Sequence, residues 1–140
     1  MRLLLVALFL WIAPDRAYPG DVTGSWEYRG PSQSGMWLKT QQTGNKVRFQ
    51  LEVARGAPSY NSGWIEGEFE LNGTVGIFQP SKHIACEIRF QFRRSAVQVN
   101  ETEEKRECGF GHNVHADGTL VLRRRERPRF SKGDPRLSSE

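Results

Sequence analysis

VRFQLEV, residues 47–53, decides the fold class. Val47, Phe49, Leu51 and Val53 alternate with Arg48, Gln50 and Glu52. Successive side chains of an extended chain point to opposite faces, so one set is buried and the other meets water. IEGEFEL (65–71) repeats the pattern, with Ile65, Phe69 and Leu71 inward and Glu66, Glu68 and Glu70 outward. CEIRFQF (86–92) repeats it again, and VQV (97–99) follows. A helix would need an apolar stripe at spacings of three and four, and none exists here.

Shorter candidates fill the gaps: SWEYR from Ser25, GMWLKTQ from Gly35, TVGIFQ from Thr74 and GTLVLRR from Gly118. Turn signals separate them. TGN (43–45) divides the second and third strands, NG (72–73) suits a tight hairpin, and ADG (116–118) opens the last strand. Only RGAPSYNSG (55–63) is a longer loop. About eight strands with hairpin-length connections imply an all-β chain, a small antiparallel up-and-down barrel. A two-sheet β-sandwich is the alternative.

The inward positions predicted from this register are Trp26, Leu38, Val47, Phe49, Leu51, Val53, Ile65, Phe69, Leu71, Ile77, Ile88, Phe90, Phe92, Val97, Val99, Leu120 and Leu122. They are bulky and uncharged, so the interior is expected to be mostly filled. Gly-x-Trp in GSWEY resembles the opening of lipocalin-like and avidin-like barrels. That resemblance makes Trp26 a plug at one barrel end, with Arg123 or Arg124 covering it through a cation–π contact.

MRLLLVALFLWIA begins the chain with a basic residue and an apolar run of signal-peptide length, too short to span a bilayer comfortably. The expected organisation is a signal peptide over 1–20, one β-barrel domain over 21–125, and a disordered basic tail over 126–140. The cleavage site is ill-defined, since Asp15 occupies a position that should be small. A retained N-terminal anchor is the alternative, and the only route foreseen to membrane contact. Export makes the location secreted or periplasmic. The net charge of +4 resides at the ends, because residues 21–122 carry eleven basic and twelve acidic side chains. A nearly neutral domain bound for export does not call for nucleic acid as a partner.

CGFGHNVHADG (108–118) carries a cysteine, three glycines and two histidines in eleven residues. Structural zinc uses close pairs such as Cys-x2-Cys with His-x3–5-His. Here Cys86 and Cys108 are 22 apart and His112 and His115 are separated by two residues. No metal and no cofactor is expected. An exported chain with two cysteines oxidises them, and a Cys86–Cys108 disulfide leaves no thiolate for nucleophilic catalysis. The bridge would tie the polar stretch NETEEKRE, read as a solvated linker, back to the strand before it. His115 is read as an exposed polar residue.

Cys86, Ile88, Phe90 and Phe92, followed by Cys108, Gly109, Phe110, Gly111, Asn113, Val114, Ala116, Asp117 and Gly118, resemble the ending of a group of small secreted bacterial proteins. Their pattern runs C-x-(hydrophobic)-x-F-x-F … C-G-F-G-x-N-V-x-A-D-G-x-(Y/L), and Leu120 stands at its last position. The likeness covers about forty residues closely. It implies a small exported β-barrel with a structural disulfide, and it transfers no catalytic residue.

Function is therefore sought at the surface. Trp37 and Trp64 fall on the outward register, and Tyr60 lies in the adjacent long loop. The three are the candidate binding residues, forming a platform for a protein or a sugar. The competing reading has them cover a barrel end or pack beneath the signal-proximal segment. Glu66, Glu68 and Glu70 have no companion base or nucleophile, so no enzyme is expected. Two functions remain: a non-catalytic envelope binding module, such as an inhibitor of or protector against an envelope-acting enzyme, or a carrier of a small apolar ligand.

Overall fold

A computed structural model describes residues 20–131, so the N-terminal apolar run and residues 132–140 lie outside the description. Eight strands follow one another: β1 (Gly24–Arg29), β2 (Gly35–Thr43), β3 (Lys46–Ala54), β4 (Ser62–Asn72), β5 (Val75–Phe78), β6 (Cys86–Phe92), β7 (Ala96–Arg106) and β8 (Gly118–Arg124). Each pairs antiparallel with the next, and β8 returns to β1 to close a barrel. A single 3-10 turn, Pro31–Gln33, is the one helical element among the described residues. The up-and-down barrel is the architecture, not the sandwich.

Two-residue turns set the register of the β2–β3 and β4–β5 hairpins. Thr43 pairs with Lys46 and Asn72 with Val75. Gly44 and Gly73 take φ of +63° and +61°, where a side chain on Cα would be strained.

The lumen is filled. Trp26, Leu38, Val47, Phe49, Leu51, Ile88, Phe90, Phe92, Val97, Val99 and Leu120 are fully buried. Phe49 contacts Phe69, Phe78 and Phe90 at centroid distances of 4.9 to 5.6 Å. An eight-stranded barrel is just wide enough for its side chains to pack the interior. Trp26 is buried inside the barrel: its indole donates to Thr40 Oγ1 at 2.9 Å and its ring meets Phe92 edge-on. The expected arginine cover is absent, because Arg123 turns outward to Glu27 and Arg124 to Glu126.

Three other sequence expectations are corrected. Ile77 is 50% exposed, while its neighbours Gly76 and Phe78 face inward. The small Gly76 admits the Phe69 ring, which lies within 2.2 Å of where a Cβ would stand. NETEEKR is not a linker but the second half of β7, paired with β6 as far as Cys86–Arg106. The interior is not free of charge either: Glu101 continues the inward register of Val97 and Val99 and is buried. Its carboxylate accepts from the Ala116 backbone at 3.0 Å and lies 3.4 Å from His115 Nδ1. A paired hydrogen-bond acceptor can be tolerated where an unpaired one could not.

The Cys86–Cys108 disulfide clamps the open end of the long β6–β7 hairpin, beside the Glu107 N to Ala85 O bond of 2.8 Å. The ladder is irregular between Cys86 and Ile88. There Glu87 gathers Thr102 at 2.6 Å, Lys105 at 2.9 Å and Gln79. The β4–β5 ladder is the shortest, with Leu71–Gly76 and Asn72–Val75 only. Phe78 fills the seam above it against Gly67, and Phe110 backs onto Gly63.

Candidate functional site, an aromatic cleft on the outer face

Antiparallel register builds a transverse row across the outside of the barrel. Glu27 on β1 stands opposite Trp37 on β2, Trp37 opposite Glu52 on β3, and Glu52 opposite Trp64 on β4. Strand spacing separates the two tryptophan positions by about 10 Å. A second row, Lys39, Gln50 and Glu66, lies one step along the same face. Trp37, Lys39, Gln50, Glu52 and Trp64, with Ser131 from beyond β8, line one shallow cleft of about 60 Å³.

Trp37 is held by its own polar tip. Its indole N–H donates to Glu27 Oε1 at 2.9 Å. Glu27 also meets Arg29, and Arg123 at 3.3 Å. The indole hydrogen bond, with help from these cations, holds the Glu27 carboxyl below the ordinary value of 4.5. Trp64 has the same half-buried status on β4. Tyr60, 60% exposed on the β3–β4 loop, is not in the lining of the cleft. The structure thus brings two of the three predicted aromatics together and leaves the third apart.

The chain itself lies along this face and completes the wall of the cleft with Ser131. After β8, residues 127–131 cross the outer face of β2 and β3. The Gln41 amide, its oxygen turned to the segment, accepts from Arg127 Nε and Nη2, both at 3.0 Å. Lys39 Nζ donates to the Arg129 carbonyl at 2.9 Å. The Arg48 guanidinium sits 4.2 Å from the centroid of the Phe130 ring. Gln50 takes both main-chain groups of Ser131: Oε1 accepts from its N–H at 3.0 Å and Nε2 donates to its C=O at 2.7 Å. Arg127, Arg129, Phe130 and Ser131 of the expected basic tail therefore contact the outer face of the barrel, and Ser131 lies beside Trp37 and Trp64 at the cleft; the signal-proximal segment lies outside the described residues. Sequence reasoning missed Gln50, Lys39 and this segment. The available signal was Phe130, an apolar ring alone in an arginine-rich stretch.

The histidines of the CGFGHNVHADG stretch lie on the loop between β7 and β8, His112 exposed and His115 beside Glu101. Among the described residues no three His, Cys, Asp or Glu side chains are grouped to hold a metal ion. A wider groove of about 590 Å³ runs outside the β4–β5 seam, lined by Glu68, Glu70, Val75 and Ile77 among others. No described helix is long and apolar enough to cross a membrane. Comparison with protein-family models, with curated proteins and with solved structures finds no match to this chain.

Proposed function

We propose that this chain is a non-catalytic binding module, secreted or periplasmic, in which a lipocalin-like barrel is the rigid frame for an outer recognition face. The observation that carries the reading is the Glu27–Trp37–Glu52–Trp64 row: two half-buried indoles on the outside of a barrel whose lumen is packed. Large rings with a polar tip suit protein recognition, because they contribute much contact area with little rotamer freedom to lose. The filled interior supports the surface, not the lumen, as the working face, and so disfavours the apolar-ligand carrier. The disulfide and the N-terminal apolar run support an exported, oxidising setting. The partner class is an envelope protein, with inhibition of or protection against an envelope-acting enzyme as the role, by analogy of fold alone. No metal or cofactor has a part in it.

Trp64→Ala is the cleaner test, since Trp37 also supports Glu27. The variant is expected to keep its thermal midpoint within a few degrees and to lose a partner cross-linked to the wild-type chain in envelope extract. Undiminished cross-linking would remove the platform. Uptake of a hydrophobic fluorophore that lipid extract then displaces would instead make the lumen the functional site.

A further inference from the structure

We infer that the outer face of β2 and β3 from Gln41 to Gln50, which ends at the Trp37–Trp64 cleft, is a receptor for the main chain of a basic, aromatic-bearing peptide, and that residues 127–131 occupy it in cis as a displaceable stand-in. The inference rests on the binding-module reading and deepens it by naming the chemistry of the partner segment.

Gln50 lies on the outward register of β3, yet it is only 3% exposed. An outward glutamine is ordinarily solvated. Here both ends of its amide are committed to one residue, Ser131, and a 3.1 Å bond to Glu66 Oε2 fixes the amide's orientation. The side chain thereby imitates one rung of an antiparallel ladder. Lys39 adds a second main-chain contact at Arg129, two residues earlier. Contacts of this kind recognise backbone and are blind to side-chain identity, so another segment can make them equally well. Selectivity comes from the two flanking contacts, Gln41 on the Arg127 guanidinium and Arg48 on the Phe130 ring. The occupant is therefore read as Arg-x-x-aromatic-x.

The segment is also built to leave. The barrel closes through β8 and β1 before it begins. Arg125 anchors its root on the main-chain oxygens of Asp21, at 3.0 Å, and of Arg94. Beyond that anchor no residue of 127–131 belongs to a strand. A ligand tethered this closely competes at an effective concentration of roughly millimolar order, so a free peptide must work against it.

The test uses a chain ending at Glu126 and a synthetic, end-blocked peptide RPRFSKGDP, corresponding to residues 127–135. Calorimetry is expected to show binding to the shortened chain, and binding to the full chain weaker by at least about tenfold. Gln50→Ala in the shortened chain should weaken binding by a similar factor, and so should exchanging the peptide's phenylalanine for alanine. Equal binding to both chains, or no effect of Gln50→Ala, would overturn the inference and mark the attraction as general charge. If the shortened chain does not fold, Ser131→Pro in the full chain decides the matter. It removes the N–H that Gln50 accepts, and it should raise peptide binding; unchanged binding would overturn the inference. Peptide binding without partner cross-linking would defeat the envelope reading alone. Cross-linking that the peptide does not compete away would defeat this inference alone.

Discussion

Trp37 and Glu27 act as a pair, and acid should reveal it. The indole N–H stabilises the charged carboxylate, so Glu27 titrates below 4.5 in the folded chain. Glu87 is shifted the same way, chiefly by the Thr102 hydroxyl and then by Lys105. A carboxyl whose folded value is depressed contributes stability that is fully present above its unfolded value and is lost as pH falls through the folded value. Stability should therefore hold near neutrality and decline below about pH 4.5 as these carboxylates protonate. Trp37→Phe keeps a ring but removes the donor, and a pH titration followed by carboxyl NMR should move Glu27 upward toward its ordinary value. Glu101 gives a second expectation. Glu101→Ala strands the Ala116 N–H in the interior, at a cost of about 1–3 kcal/mol. Urea unfolding should report that loss, and Glu101→Gln, which can still accept, should lose less.

The β6–β7 hairpin is the element on which covalent and local forces meet. Closing 22 residues with a disulfide restricts the unfolded chain and contributes about 3 kcal/mol. Replacing Cys86 and Cys108 together by serine should lower stability by that order in denaturant melts. Hydrogen exchange should quicken first at residues 102–106, near the clamp, while Val97 and Val99 stay protected within the two-sided ladder. On β4, Gly67→Ala would place a methyl 2.4 Å from the Phe78 ring. Overpacking of this kind costs about 1–3 kcal/mol, measurable as a fall in Tm. The same elements show where sequence reading succeeds. In β3, strict alternation places every inward residue, because Val47, Phe49 and Leu51 are each set between outward polar side chains and Val53 follows one. In β5, Ile77 misleads, because the position that must be inward is given to a glycine so that Phe69 can enter. In β7, Asn100 to Arg106 hide strand structure, because the pairing partner is β6 and the buried member is a glutamate satisfied from a loop fifteen residues away. The outward tryptophans are legible from period alone. Gln50 is not, since its burial depends on a segment eighty-one residues later in the chain.

At the scale of the whole molecule, the barrel is complete without its last residues. Removing residues 127–140 should preserve the β-sheet circular dichroism. It should lower stability by no more than about 1–2 kcal/mol, because Gln50 and Lys39 regain water when the segment leaves. A loss of cooperative unfolding on truncation would instead make the segment part of the core. The division of labour is then simple: the lumen supplies rigidity, and the outside supplies recognition. The two-rung contact between β4 and β5 has a mechanical consequence. Every other boundary of the hoop is laced by more backbone bonds, so a pull or a denaturant finds this clasp first. The protein should come apart by unrolling from there, with a protease nick between Phe78 and Cys86 arriving before any cut inside β2 or β3.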